Sequence, residues 1–298
     1  MRAVVTGGAG FIGSHVVEAL VARGDEVHVV DNLETGKREN VAGGATLHEY
    51  DIREPLDALF AETRPEVVVH LAAQADVGTS VARPLFDAEV NVLGTVNVLE
   101  AARAHQAQLV FSSTGGAIYG ECERPAREDD PCRPVSPYGT AKLAAEEYLA
   151  TWNRLYGTSH VVLRFANVFG PRQLAKLEGG VVAIFTGRLR AGEGVTIFGD
   201  GEQTRDFVYV GDVVAAVLAA IGHDGGTFNV GTGQETSVNE LFDACRRIAG
   251  VEAESEYAPA RTGEALRSFV DVSRAERELG WRPQFSLEDG LRATWASA

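Results

Sequence analysis

Apolar residues along this chain follow two alternating patterns. Short, nearly continuous apolar runs lie at 2–6, 26–30, 46–50, 67–71, 109–112, 161–165 and 227–230, and these predict β-strands. Between most of them, apolar residues recur every three or four positions. These stretches, at 14–23, 56–62, 85–105 and 138–156, predict helices. Strands that are apolar on both faces and separated by helices imply an α/β fold with a doubly wound parallel sheet. Past residue 169 the pattern loosens into short elements, a glycine-rich turn at Gly199-Asp200-Gly201 and two late helices. This part is expected to form a smaller C-terminal lobe that closes over the cleft. The larger domain then takes 1–166 with about 204–232, and the lobe takes about 167–203 with 233–298.

In a sheet of this kind ligands bind beyond the carboxyl ends of the strands. Gly7, Asp31, Ala72-Ala73-Gln74, Ser112-Ser113-Thr114 and Asn167 all fall at such ends. The first strand runs into Gly7-Gly8-Ala9-Gly10-Phe11-Ile12-Gly13, and the helix after it presents Ile12, Val16, Val17 and Leu20 on one face. Strand, glycine turn and helix in this order form a pyrophosphate cradle: glycines admit the backbone amides, and the helix N-terminus adds its dipole. The second strand ends at Asp31. A carboxylate about 20 residues past the glycines suits the ribose hydroxyls of NAD and repels the 2′-phosphate of NADP.

Tyr138-Gly-Thr-Ala-Lys142 places a phenol and an ammonium four residues apart on one helical face. Bringing a phenol from pKa ~10 to ~7 takes roughly 4 kcal/mol. One positive charge at ~4 Å supplies about that much at an effective dielectric near 20. Tyr138 is therefore a candidate general base toward a sugar or alcohol hydroxyl. Lysines are scarce, with only Lys37, Lys142 and Lys176, so a lysine here points to a need for a compact charge.

The formal net charge of −15 argues against nucleic acid and anionic membranes as partners. Screening over ~8 Å at physiological salt still leaves cleft arginines able to hold an anionic substrate. No apolar stretch approaches a membrane span, and the chain opens on a strand rather than a signal-peptide pattern. Cys122, Cys132 and Cys245 share no CxxC spacing and read as reduced thiols, so the expected location is cytoplasmic. The histidines are scattered singly, without metal-ligand spacing, and His70 reads as a packed residue. No metal is expected. The helices near 85–105 and 138–156 carry much apolar surface, including Tyr148, Leu149, Trp152 and Leu155. Either core packing or a four-helix homodimer seam would use it.

Several motifs together resemble the extended short-chain dehydrogenase/reductase family. They are Thr6 to Gly13, Asp31-Asn32, Asp51-Ile52, Ser112-Ser113-Thr114, Tyr138 with Lys142, and Arg164-Phe165-Ala166-Asn167. The stretch from Gly199 to Phe207 and the closing Glu278-Leu279-Gly280-Trp281 extend the likeness over essentially the whole chain. Within the family it most resembles UDP-glucose 4-epimerases. The resemblance implies a Rossmann-type domain with tightly bound NAD. Gly7, Gly10, Phe11, Ile12 and Gly13 would hold the pyrophosphate, Asp31 and Asn32 the adenosine ribose, and Asp51 and Ile52 would flank the adenine. Leu71, Ala73, Gln74 and Asn91 would line the middle of the cofactor, with Ser112, Phe165, Tyr138 and Lys142 also on its path.

For the substrate, the resemblance implies that Thr114, Asn167, Arg205 and Arg261 meet the UDP-sugar, with Glu264 near the uridine ribose. Ser268, four past Glu264, would gate the space around the sugar's 2-substituent, where serine leaves room for an N-acetyl group. The catalytic set is Tyr138, Lys142 and Thr114. Sugar-nucleotide dehydratases of the family carry an acid just after that threonine; here Gly115 follows, so dehydration is not expected. The stretch 174–178 departs from the more polar sequence of close relatives. The expected activity is NAD-dependent epimerisation at carbon 4 of a UDP-hexose through a 4-keto intermediate, an isomerase of galactose metabolism. The alternatives are a nucleotide-sugar 4-reductase, a uronate epimerase, or a non-catalytic NAD-sensing binding protein.

Overall fold

The computed structural model describes residues 1–175, 180–260 and 265–297. The first half runs β1 (Arg2–Thr6), α1 (Phe11–Ala22), β2 (Glu26–Asp31), β3 (Ala45–Glu49), α2 (Asp57–Thr63), β4 (Val67–His70), α3 (Val77–Ala82), α4 (Pro84–Ala88), a π-helical stretch (Glu89–Gly94), α5 (Thr95–Ala104), β5 (Gln108–Thr114), α6 (Gly115–Ile118) and α7 (Pro137–Tyr156). There follow β6 (Val161–Phe165), β7 (Asn167–Phe169), α8 (Val181–Arg190), β8 (Val195–Phe198), β9 (Thr204–Arg205), β10 (Phe207–Tyr209) and α9 (Val210–Ala220). The chain closes with β11 (Gly226–Val230), β12 (Thr236–Ser237), α10 (Val238–Ala249), β13 (Ser255–Ala258), β14 (Arg267–Ser268), α11 (Ser273–Leu279) and α12 (Leu287–Ala296).

Seven strands form one sheet in the order β11-β6-β5-β4-β1-β2-β3, and every pair in it is parallel. The chain thus winds outward from β1 in both directions, which leaves a crevice between the ends of β1 and β4. Alternate residues of each strand feed two separate cores. Ala3, Val5, Val27, Val29, Val67 and Val69 pack with Val16, Val17 and Leu20 of α1 and Val213, Ala216 and Val217 of α9. Val4, Val30, Val68, Leu109 and Phe111 pack with Phe60 of α2, Val98 and Leu99 of α5, and Ala145 and Leu149 of α7. A strand buried on both sides must be apolar at every position, and that is why these segments read as continuous runs.

A third core lies outside the large sheet. Phe169, Phe185, Leu189, Ile197, Phe207, Leu241 and Phe242 join α8, α10, α12 and the small sheet β13-β8. Past Phe169 the described residues hold five helices, α8 to α12, rather than the two expected from the pattern. α9 is apolar enough to read as a strand-like run, and α11 is only two turns long. The expected helix 85–105 is helical throughout but passes through a π turn at Glu89–Gly94. Such a turn inserts one extra residue into the winding and re-aims the side chains it carries, here Asn91. None of the described helices is long and apolar enough to cross a membrane.

Candidate active site

The glycines after β1 are there for space. A Cβ on Gly7, whose φ is +70°, would lie 2.6 Å from the backbone nitrogen of Ala72. A Cβ on Gly13 would collide with the carbonyl oxygen of Gly7, and one on Gly10 would lie 3.3 Å from the same oxygen. This close crossing of the β1 and β4 ends forms the floor of the crevice. Gly10 is the N-cap of α1, so Phe11, Ile12 and Gly13 present the free amides of its first turn. Asp31 lies at the end of β2 and is buried. Its Oδ2 accepts from Ala9 N at 2.9 Å and its Oδ1 from Leu33 N at 2.9 Å, which tethers the glycine turn to the second strand.

Asn32 donates from Nδ2 to Asp51 Oδ2 at 3.0 Å, bringing the ends of β2 and β3 together. Arg53, which sequence reasoning missed, grips Asp51 in a bidentate pair and holds its carboxyl down at about 2. The Ile52 side chain turns inward, where a Cβ on Gly94 would approach its Cδ1 to 2.8 Å. Past β4, Leu71 and Ala73 lead to Gln74. Gln74 N donates to Asn91 Oδ1 at 3.0 Å, and Asn91 Nδ2 returns a bond to Gln74 O at 2.9 Å. Buried Asp87, also missed, accepts from both amide groups, Gln74 Nε2 at 2.8 Å and Asn91 Nδ2 at 2.9 Å.

The helix α7 is held in place at its head. Ser136 caps it by accepting from Gly139 N at 3.2 Å, and Pro137 opens the first turn. Gly139 lets α7 press against α6, because a Cβ there would lie 2.5 Å from Ala117 O. That approach sets Tyr138 beside the turn that begins at Thr114. Thr114 ends β5, is buried, and caps α6 by accepting from Ala117 N at 3.1 Å. Its strand partner is Phe165 of β6.

One turn past Tyr138, Lys142 is buried and donates from Nζ to the Ser112 carbonyl at 2.9 Å. Burial lowers its ammonium from the ordinary 10.5 to about 8, against the pull of Asp87 and Glu146. The Ser112 hydroxyl itself donates to His70 O at 3.1 Å. His70 is packed, as expected, between the hydroxyls of Thr6 (2.6 Å) and Thr95 (3.0 Å), and burial drives it down to about 3.

Three of the substrate residues expected from the sequence, Thr114, Asn167 and Ser268, meet around Gly116. A Cβ on Gly116 would lie 3.1 Å from Asn167 Oδ1 and 3.9 Å from Thr114 Oγ1. Ser268 is 2% exposed, and its Oγ donates to Gly116 O at 3.3 Å, so it faces the site and not solvent. Its strand neighbour is Arg205, which donates to Thr204 O at 2.8 Å. Asp206 anchors this corner from below by accepting from Thr232 N, Thr232 Oγ1 and Gly233 N at 2.6 to 3.0 Å. Arg261 and Glu264 lie outside the described residues, as does most of the divergent stretch 174–178.

The crevice suits a dinucleotide: the glycine turn lets the ends of β1 and β4 cross closely, and the free amides of the first turn of α1 stand at that crossing. At the other end, Asn167 Oδ1 is buried without a hydrogen-bond partner among the described residues. NAD fits this donor set.

The comparisons with known proteins agree with this geometry. The model of the NAD dependent epimerase/dehydratase family matches residues 3–231. A UDP-glucose 4-epimerase of Mycolicibacterium smegmatis is 45% identical over 304 residues, spanning 99% of this chain and 97% of its own length. The crystal structure of a UDP-glucose 4-epimerase with UDP-glucose from Thermotoga maritima superposes with a TM-score of 0.98 at 48% identity, covering 100% of this chain and 98% of that one. A UDP-glucose 4-epimerase of Thermus thermophilus in complex with NAD gives 0.96 at 46% identity, with coverage of 100% and 98%. A matched model over most of the chain, together with relatives this similar from end to end, places the chain in the NAD-dependent epimerase/dehydratase family.

Proposed function

We infer that this chain is an isomerase that keeps NAD bound and inverts carbon 4 of a UDP-hexose through a transient 4-keto sugar. The observation that carries the reading lies at the end of β5. Thr114 stands beside the head of α7, which bears Tyr138 and Lys142, and the next residue has no room for an acid. A Cβ on Gly115 would lie 2.9 Å from Val270 Cγ1 and 3.2 Å from Arg164 O. Elimination of water needs a further acid/base group at that place; transfer of one proton at one oxygen does not. Relatives named as UDP-glucose 4-epimerases, alike over nearly their whole length, point the same way.

Bound NAD supplies a reversible hydride acceptor. Tyr138 takes the proton from the 4-hydroxyl and returns it, Thr114 hydrogen-bonds the same oxygen, and the Lys142 charge favours the ionised phenol. Asn167 and Arg205 hold the UDP end while the sugar is held weakly enough to turn. Incubation with UDP-glucose, UDP-galactose and their 2-acetamido forms, without added cofactor, tests this by anomeric proton NMR. Interconversion without net NADH is expected. Stoichiometric NADH accumulation, or no epimer from any of the four, would sink the reading in favour of a reductase, a uronate epimerase or a sensor. With the plain hexoses, the reaction would belong to galactose metabolism.

We read residues 1–166 with about 204–232 as the cofactor domain and the remainder as the substrate lobe; the seven-stranded sheet falls in the first and most of the third core in the second. The free thiols Cys122, Cys132 and Cys245 fit a reducing cytoplasm. Ser268, buried against Gly116, is read as the gate to the sugar's 2-substituent. Tyrosine there would fill the space, and overpacking costs about 1–3 kcal/mol. Ser268→Tyr should therefore lower kcat/KM for UDP-N-acetylglucosamine relative to UDP-glucose by roughly tenfold or more. An unchanged ratio would remove Ser268 from the gate.

The apolar face on α4 to α5 and α7 supports a homodimer. Leu149 and Trp152 pack inward, but Leu85, Leu93 and Leu155 are 81%, 63% and 66% exposed, and Tyr148 is 40% exposed. Four helices from two copies would cover these side chains. Sedimentation equilibrium should find a dimer, converted to monomer by Leu93→Glu with Leu155→Glu. A monomeric native protein at micromolar concentration would count against it.

A further inference from the structure

Lys142 is a buried cation with no carboxylate hydrogen-bonded to it among the described residues. Its Nζ meets the Ser112 carbonyl at 2.9 Å and lies 4.8 Å from the Phe111 ring centroid. Neither carries a formal charge, and an ammonium taken out of water requires an anion nearby. The buried carboxylates among the described residues are Asp31, Asp87, Glu146, Asp206 and Asp212. Asp31 and Asp212 accept from backbone amides. Asp206 accepts from backbone amides and the Thr232 hydroxyl. Glu146 is committed to Arg164, which donates three hydrogen bonds to it between 2.6 and 3.1 Å. Asp87 accepts from two neutral amide groups, Gln74 Nε2 and Asn91 Nδ2. It lies on α4, which together with the π-helical stretch packs directly on α7.

We propose that Asp87 is the counter-ion of Lys142 and a positioning residue of the active site, acting by two routes. Its charge keeps Lys142 protonated beside Tyr138. Its Oδ1 fixes the amide groups of Gln74 and Asn91, which bind each other across the end of β4 and the π turn. The proposal rests on the reading of Tyr138 and Lys142 given above. Burial raises the Asp87 carboxyl and lowers the Lys142 ammonium, and in each case the partner's charge works against the shift. The other titratable groups facing Lys142 are Glu146 and Tyr138 on its own helix and His70 on β4, which is neutral. Arg83, at the head of α4, is turned onto the Phe86 ring at 4.3 Å.

Asp87→Asn separates the two routes, because an asparagine oxygen can still accept from both amides. With the anion gone the ammonium is less favoured, so the Lys142 midpoint should fall by about one pH unit or more. The chain has only three lysines, so ¹³Cε-lysine labelling of the NAD-loaded protein gives three resonances, with that of Lys142 assigned by its loss in Lys142→Met. The alkaline limb of kcat should move down by the same amount while KM changes little. Asp87→Glu keeps the charge and displaces the amides, and it should leave the midpoint within half a unit.

A Lys142 midpoint unchanged in Asp87→Asn, with kcat reduced evenly at all pH values, would overturn the proposal and leave Asp87 a structural residue. If Asp87→Asn does not fold, a fall of one unit in Asp87→Glu would overturn it equally. The NMR titration does not depend on turnover, so a native protein that fails to epimerise would sink the functional reading without deciding this one.

Discussion

Tyr138→Phe is expected to lower kcat by about 10² to 10⁴, the usual worth of a positioned general acid–base group. Tyr138 follows Pro137 in the first turn of α7, capped by Ser136 and pressed onto α6 through Gly139. Phenylalanine keeps that packing and loses the one proton the reaction has to move. Thr114 cannot take over, since a hydroxyl that caps α6 is a hydrogen-bonding group with no accessible anionic form near neutral pH. NAD should stay bound, because its proposed cradle is the glycine turn after β1 and Asp31. Steady-state rates together with cofactor released on denaturation check both halves. A variant within tenfold of the native enzyme would mean that another group is the base.

The second large effect is on stability. Glu146 lies two turns past Tyr138 on the same face of α7, and with Arg164 of β6 it forms an ion pair only 6% and 7% exposed at the side chains. Arg164 also donates to Tyr119 Oη at 2.7 Å and to Glu128 O at 3.1 Å. Tyr119 in turn donates to Asn229 Oδ1 at 2.7 Å, so one guanidinium joins β6, α7, the turn after α6 and β11. Burial opposes this charge, but Glu146 and Tyr119 hold Arg164 firmly protonated. Glu146→Ala leaves that cation in place without its anion and should cost about 3–5 kcal/mol. Replacing both residues by methionine should cost much less, because the desolvation penalty leaves with the charges. Urea unfolding of the native protein and the two variants decides it. A loss below about 1 kcal/mol for Glu146→Ala would show the pair to be solvent-screened.

Some of this protein could be read before any coordinates. The strands, the glycine turn and helix, Asp31 at the end of β2, and the Tyr138–Lys142 pair all follow from local rules. Backbone hydrogen bonding sets the two periodicities, burial on both faces makes the strands continuously apolar, and four residues make one helical turn. Because parallel strands share a direction, even the convergence of Gly7, Asp31, Gln74, Thr114 and Asn167 on one edge was implied by their places at strand ends.

Only the tertiary structure decided which buried charges are neighbours. Along the chain, Asp87, Glu146 and Asp206 look like any acid on a solvated face, and Arg164 is a charge set inside an apolar strand with no partner in view. Folding buries them because distant partners satisfy them: amide side chains for Asp87, a guanidinium for Glu146, loop amides for Asp206. Ser268 was ambiguous for the same reason, since two strand residues carry too little pattern to say which way a side chain points. The π turn at Asn91 and the steric closure behind Gly115 also have no local signature. Hydrophobic periodicity is summed over many residues and survives in the sequence. The pairing of single polar groups depends on chain crossings that only the packed fold makes.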